Sequence, residues 1–279
     1  MRLRLYHHPD GARVAYRETG TGPALVLLHS AGLSHREWEP VVEPLAQRFR
    51  VVLPDLPLHG DSEDRPGHPY TLDWLTEVIA GFCLEAGGPR ARLGGHDLGA
   101  ELLVRAVTGG ALSPDRLVVM PTRLHRGPEH PRRLALWRAA CRPAALPGLD
   151  RLLAHGAALA FRPSVGEKLS AQANPGARDL IRHAFADVSG NGNRARSWAR
   201  FARRWPAEAQ RDLLDRYGSI GTPTLLLWAD SDRVHPLAGA QEALDLLPDA
   251  QLRVLSGCGF LMAYDDPIGL ARELIAFCG

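Results

Sequence analysis

Lysine is almost missing. Lys168 is the single lysine among 33 basic residues, so arginine carries nearly all the positive charge. That bias reflects genome composition, as in a high-GC bacterium, more than chemistry. An excess of charge of either sign is also lacking: the formal net charge is only +2 over 279 residues. Neither nucleic acid nor an anionic membrane is therefore expected as a partner. Cysteine is sparse and scattered at Cys83, Cys141, Cys258 and Cys278, with no CxxC pair and no metal-like Cys/His spacing. This argues against a disulfide framework or a zinc site and for reduced thiols. No apolar run approaches the ~20 residues that span a bilayer. The first residues, Met1 to His8, contain no apolar h-region of a secretory signal. The expectation is a soluble, cytoplasmic protein acting on a small molecule. There is no sign of a metal or organic cofactor, and nothing sets an oligomeric state.

What is present is enough apolar residue, 45% of the chain, for one large core with an insertion. Leu3–Tyr6 and Arg13–Arg17 flank a Pro9-Asp10-Gly11 turn and read as a hairpin. Continuous apolar runs at Ala24–Leu28, Val51–Pro54, Ala91–Gly94 and Leu117–Met120 suit strands buried on both faces. Helical patterns over His35–Gln47, Leu72–Ala86 and from the Gly95 region to Thr108 separate them. The alternation stops between residues 122 and 217. Arg-rich and Ala/Leu-rich helical stretches such as Arg132–Ala140 and Leu149–Phe161 fill that segment. It resumes with strands at Thr222–Trp228 and Gln251–Leu255 and helices at Leu237–Leu247 and Pro267–Phe277. The expected domains are a core of residues 1–121 and 218–279 and a helical cap of residues 122–217. The expected class is α/β: a mostly parallel sheet with helices on both faces, the cap lying over the strands' C-terminal edge, where open sheets bind ligands.

Short motifs recur at strand ends in a fixed order. They are Leu27-Leu-His-Ser-Ala-Gly32 with Trp38, then Asp55-Leu-Pro-Leu-His-Gly-Asp-Ser62, then Gly95-His-Asp-Leu-Gly99. Trp228-Ala-Asp-Ser-Asp232 and Ser256-Gly-Cys-Gly-Phe260 follow. Together they resemble the α/β-hydrolase superfamily across nearly the whole chain. Gly95–Gly99 is similar to its nucleophile elbow, a strand-to-helix turn that raises the middle side chain into the cleft. Flanking glycines permit close backbone approach, and the helix N-terminus beneath favours an anion. The plain alternative for Asp97 is a helix N-cap; the motif context favours the cleft.

The resemblance implies an oxyanion hole from the backbone N–H groups of Ala31 and Leu98. It further implies a pocket lined by His29, Ser30, His96, Phe260 and Leu261, and an orienting acid at Asp232. An aspartate at the elbow looks like the epoxide hydrolases and haloalkane dehalogenases, in which a carboxylate attacks an sp3 carbon. The chain departs from the pattern where Phe260 stands at the family's catalytic histidine. Phenylalanine takes no proton, and Asp232 is left without its expected partner. Leu98 follows the nucleophile where such relatives often place Trp, the cap carries only Tyr217, and Ser30 replaces a glycine.

His29, His59 and His96 read as structural. His235, three residues past Asp232, is the best substitute base, with a place at the cleft rim expected for it. His125, His130, His155 and His183 lie in the cap without a spacing that selects one. The arginines Arg123, Arg126, Arg132 and Arg133 read as a solvated face or a lure for an anionic substrate. The departures point first to a non-hydrolytic enzyme of bacterial natural-product metabolism. Asp97 would then act as acid or base in a cyclisation, elimination, isomerisation or epimerisation of a mostly apolar molecule. A second reading is a hydrolase of an epoxide, alkyl halide or ester using another histidine, or one blocked by a natural or introduced Phe260. A third is a ligand-binding protein without chemistry.

Overall fold

The computed structural model describes the chain apart from residues 66, 128–130, 144–145, 147–148, 150–151, 153–168 and 205–209. Most of the expected helix over 149–161, and His130 and His155, lie outside the described residues. One eight-stranded sheet organises the rest, in the order β1-β2-β4-β3-β5-β6-β7-β8. The strands are β1 (Arg2–His7), β2 (Arg13–Thr19), β3 (Ala24–Leu28), β4 (Arg50–Pro54), β5 (Arg92–Gly95), β6 (Arg116–Val119), β7 (Thr224–Ala229) and β8 (Ala250–Leu255). The hairpin pairs β1 with β2, and β2 with β4, antiparallel. Every pair from β4 through β3 to β8 is parallel.

The apolar runs are uninterrupted because both faces of these strands are covered. Leu25 and Leu27 of β3 point into one core, with Leu225 and Leu227 of β7. Val26 and Leu28 point into the other, with Leu226 and Trp228. The first core is closed by α1 (Glu39–Ala46), which follows a 3-10 turn over His35–Trp38, and by the C-terminal helix. The second is closed by α2 (Leu72–Phe82) and α3 (Leu98–Thr108). The sequence pattern over 72–86 thus splits into α2 and a wider turn over Cys83–Gly87, ending at Gly88 with a positive φ of 90°.

Between β6 and β7 every described element is a helix: α4 (Pro131–Ala140), α5 (Pro175–Ser189), α6 (Gly192–Arg204) and α7 (Arg211–Tyr217). After β7 come α8 (Leu237–Leu244), the short α9 (Met262–Asp265) beyond β8, and α10 (Pro267–Cys278). No described helix is long and apolar enough to cross a membrane. All four cysteines are unpaired thiols.

The chain winds from β3 outward to β4, then returns to place β5 on the other side of β3. That reversal opens a crevice between the C-terminal ends of β3 and β5, the place where such sheets take ligands. Leu28 is in register with Gly95 across it. The loops carrying Ala31 and Asp97 therefore leave the sheet side by side.

Candidate active site

Asp97 sits at the turn between β5 and α3 with φ 47° and ψ −111°, a left-handed conformation that side chains rarely adopt. The turn is held by its neighbours. The Asp97 N–H donates to the Pro121 carbonyl at 2.9 Å, and the Asp97 carbonyl accepts from Glu101 N at 3.0 Å. Glycine is required on both sides: a Cβ on Gly95 would stand 2.6 Å from Ala100 N, and one on Gly99 2.6 Å from the Leu28 carbonyl oxygen. The Asp97 carboxylate makes no capping bond to α3. It turns into the crevice instead, where Oδ2 accepts from the Ala31 N–H at 3.0 Å. Leu98, the other expected oxyanion donor, is the fully buried first residue of α3.

Asp97 Oδ1 faces Nε2 of His235 at 3.3 Å. The other ring nitrogen, Nδ1, faces Asp232 Oδ2, also at 3.3 Å. Both separations are at the long end of hydrogen bonding. Asp97, His235 and Asp232 thus form one line of carboxylate, imidazole and carboxylate. His235 is not at the cleft rim as its place in the sequence suggests: only 3% of it is exposed. The loop after β7 folds back because Trp228, buried in that strand, donates its indole N–H to the His235 carbonyl at 3.0 Å. Asp232 Oδ1 braces the same loop by accepting from Val234 N at 2.7 Å. Asp232 accordingly has a partner, and an imidazole stands beside the elbow carboxylate.

Phe260, in the loop after β8, supports that imidazole. Its ring lies 5.7 Å from the His235 ring at 27°, and 4.5 Å from the His96 ring. Leu261 is buried next to it, its N–H donating to the Leu169 carbonyl at 3.1 Å.

A carboxylate at each nitrogen determines the charge on His235. A neutral imidazole has one N–H, so it would turn a lone pair on one of the two carboxylates; the doubly protonated ring satisfies both. Burial alone would lower the His235 pKa, but the hydrogen bonds and charges of Asp232 and Asp97 outweigh it and raise it to about 9. Burial likewise pushes Asp97 up, and His235, with smaller help from His96 and the Ala31 amide, brings it down to about 2.

The remaining expected residues form the floor and wall. His29 is wholly buried, donating from Nδ1 to the Ser30 carbonyl at 2.8 Å and accepting from Leu56 N at 2.9 Å. His59 donates to the Pro57 carbonyl and accepts from Gly32 N at 2.9 Å. Burial lowers both pKa values, that of His59 to about 3. Ser30, where a glycine was expected, donates its N–H and hydroxyl to Glu37 at 2.7 and 2.9 Å. His96 Nδ1 also bonds Glu37, leaving Nε2 with no partner among the described residues.

Glu37 was not anticipated from sequence. Neither was Glu101, which is buried on α3 with burial raising its pKa and bonds the Gln210 amide at 2.6 Å. The arginine cluster is not one open face: Arg123 lies 3.8 Å from Glu101, and Arg126 forks onto Glu242 at 3.1 and 2.7 Å. Arg132 is exposed, and the Arg133 side chain lies outside the described set. His125 pairs with Glu242 at 3.0 Å, and His183 is exposed.

The inserted helices meet this site through α6. Trp198 sets its ring edge-on to His59 at 4.8 Å and donates to the Leu58 carbonyl at 3.2 Å. Arg194, Ser197 and Asn191 bind the same stretch at Ser62 and Asp64. No described group of three or more His, Cys, Asp or Glu side chains is arranged to hold a metal ion.

An elbow at the end of β5, an amide donor from the β3 loop and an acid-bearing loop after β7 define an α/β-hydrolase architecture. The chain belongs to the alpha/beta hydrolase family, whose profile matches residues 25–273. It is 27% identical over 277 residues to an uncharacterized protein of Mycobacterium tuberculosis, covering 92% of this chain and 75% of that one. It is 24% identical over 283 residues to the 2-hydroxy-6-oxononadienedioate/2-hydroxy-6-oxononatrienedioate hydrolase of Burkholderia vietnamiensis, covering 95% of this chain and 90% of that enzyme. A crystal structure of a hydrolase from Pseudomonas aeruginosa matches its fold with a TM-score of 0.76 at 24% identity, over 100% of this chain and 98% of that one.

Proposed function

We propose that this protein is a hydrolase that works through a covalent ester on Asp97, with the bond it breaks at an sp3 carbon. The observation that carries this reading is His235 held between Asp97 and Asp232 at 3.3 Å from each. The non-hydrolytic alternative rested on a missing imidazole, and that ground is gone. The named relative is itself a hydrolase, which supports hydrolysis in general terms.

In the first step an Asp97 oxygen attacks carbon and the leaving group departs with its electron pair. In the second, water adds to Asp97 Cγ while neutral His235 takes its proton, oriented by Asp232. The Ala31 N–H, already on Asp97 Oδ2, stabilises the oxyanion, joined by the Leu98 N–H as the ester carbonyl reorients. The intermediate collapses and the alcohol leaves, carrying the oxygen that Asp97 gave. A sulfur- or oxygen-ester substrate suits this site poorly, because carboxylate attack on an acyl group yields an anhydride instead of a stable ester. On this reading the described helices α4 to α7 serve as the cap over the site.

The test is a single turnover in heavy-oxygen water with terminal epoxides and primary alkyl halides. An Asp97 ester requires the heavy oxygen to enter the Asp97 carboxyl, and the first product to carry ordinary oxygen at the attacked carbon. Heavy oxygen appearing directly in the first product would mean that Asp97 activates water and forms no ester.

A further inference from the structure

We propose that Asp265 is a positioning residue for His235: from outside the crevice it ties residues 169–174 of the inserted segment to the turn after β8, and so fixes the Phe260 ring on which the imidazole rests. The catalytic meaning of this tie rests on the Asp97-ester reading, in which His235 is the base.

The tie begins with one carboxylate. Asp265 closes the short helix α9, and its two oxygens accept four hydrogen bonds from two distant stretches of chain. Oδ2 takes the Gly259 N–H at 2.7 Å and the Ala171 N–H at 2.9 Å. Oδ1 takes the Gln172 N–H at 3.3 Å and the Ser170 hydroxyl. An ionised carboxylate offers about four acceptor positions, so this one is filled. Hydrogen bonds to a charged acceptor are also the stronger kind. Other bonds run beside it. The Leu261 N–H donates to the Leu169 carbonyl at 3.1 Å. The Gln172 side-chain amide donates to the Gly257 carbonyl at 2.9 Å, and that of Asn174 to the Tyr264 carbonyl at 2.6 Å. The two stretches lie so close that a Cβ on Gly259 would stand 2.8 Å from the Leu169 carbonyl oxygen and 2.9 Å from Ala171 N.

Phe260 sits between two residues pinned in this way, Gly259 and Leu261. Its ring stacks on that of His235 at 5.7 Å and 27°. The polar contacts of His235 are at its ring nitrogens, with Asp97 and Asp232 each 3.3 Å away. Bonds at two points leave a ring free to tilt about the line that joins them. A flat ring against its face removes that freedom. His96, at 6.5 Å, meets the imidazole edge-on and does not supply a second flat wall. The Nε2 lone pair lies in the ring plane, so the tilt decides where the base points, and misplacement of a reacting group is costly.

The helix α5 grows from the same knot. Asn174 caps it by accepting from Gly176 N at 2.8 Å. A shift of α5 over the sheet therefore reaches the imidazole through Asp265, Gly259 and Phe260 in turn. The adjacent Asp266 has a different task. Its carboxylate accepts from Gly269 N at 2.8 Å and caps α10, which makes it a control of matched chemistry.

The experiment compares Asp265→Ala with Asp266→Ala and the wild type, each checked for folding by circular dichroism. The first readout is the titration of the His235 ring by nitrogen NMR on histidine-labelled protein, its signal assigned by loss in His235→Gln. In the wild type it should titrate near pH 9. In Asp265→Ala the midpoint should fall by roughly one pH unit or more, as the ring tilts away from its two carboxylates, while Asp266→Ala keeps the wild-type value. The second readout is single-turnover intact-protein mass with a primary alkyl bromide. Asp265→Ala should hydrolyse the Asp97 ester roughly 10–100-fold more slowly and form it within about threefold of the wild-type rate. If Asp265→Ala does not fold, Ser170→Ala with Gln172→Ala cuts two side-chain bonds of the knot and is read the same way. An unchanged titration, or an equal shift in Asp266→Ala, would overturn the positioning role. A wild type that forms no Asp97 adduct would overturn the ester reading, and the titration would still decide whether Asp265 positions the ring.

Discussion

Phe260 and His235 stack at 27° with 5.7 Å between ring centres, so the residue standing where a catalytic histidine was expected serves as the wall against which another histidine rests. Phe260→Ala removes that wall. The variant should lose roughly 3–5 kcal/mol of stability, the usual cost of a large aromatic cut from a core, and turn over slowly because the imidazole is no longer held. Chemical denaturation and steady-state rates would measure the two effects. Phe260→His should not raise activity, since Asp97 already has an imidazole; a gain in turnover would show that His235 is not the working base.

The charge on His235 links the site to stability. Its pKa is raised from about 6.5 to about 9, so its contribution is complete below the lower value and is lost as pH rises through the higher one. The Tm difference between the wild type and His235→Gln should therefore be largest near neutral pH and shrink toward pH 10. A difference that grows with rising pH would mean that the ring is neutral in the resting protein. The signal at Asp97 has the opposite sense: its lowered pKa contributes stability above about 4 that is lost as pH falls toward 2.

Trp198 touches the site only at second hand. It packs on His59, His59 accepts the Gly32 N–H, and Gly32 adjoins the Ala31 amide that contacts Asp97. His59, with its pKa near 3, keeps its lone pair for Gly32 at every working pH. Trp198→Ala should slow ester hydrolysis about tenfold, less than the 10²–10³ expected when an oxyanion donor is lost outright, and leave Asp97 alkylation nearly unchanged. Trp198→Phe should restore most of the loss. Quenched-flow mass spectra would show whether the ester accumulates; slowing of both steps alike would assign Trp198 to general stability.

Gly99 tests the elbow. A methyl there meets Leu28 backbone at 2.6 Å, so Gly99→Ala should destabilise by about 1–3 kcal/mol or more. Gly218→Ala, with nothing within 4 Å, should fall within about 0.5 kcal/mol of the wild type. Urea denaturation of the pair would decide it, and equal stabilities would deny the close packing of β3 against α3.

Much of this arrangement was legible from residue order. Strands buried on both faces read as unbroken apolar runs, and the tight elbow demanded Gly95 and Gly99, so the sheet and the position of Asp97 came from local pattern. His235 was identified by its nearness to Asp232, but its burial depends on a bond that exists only once the loop has folded back: Trp228, seven residues earlier in β7, donates its indole N–H to the His235 carbonyl. Glu37 and Glu101 were missed for a similar reason. Each lies in a helical turn where a carboxylate ordinarily reads as solvated, and each is buried by partners that only the fold brings to it, Ser30 and His96 for one, Gln210 for the other. Phe260 misled in the opposite way, because the absence of one imidazole says nothing about the arrival of another from a different strand end.

Putting His235 three residues after Asp232 places two members of the proposed triad on one short loop, tied to β7 through Trp228. The proposed chemistry then needs three segments of chain to stay in register: the elbow, this loop and the β3 loop that carries the Ala31 N–H. The turn after β8 is released from carrying a reacting group and has only to present a flat apolar surface. That surface is still constrained in size, because Phe260 has to lie flat against the His235 ring.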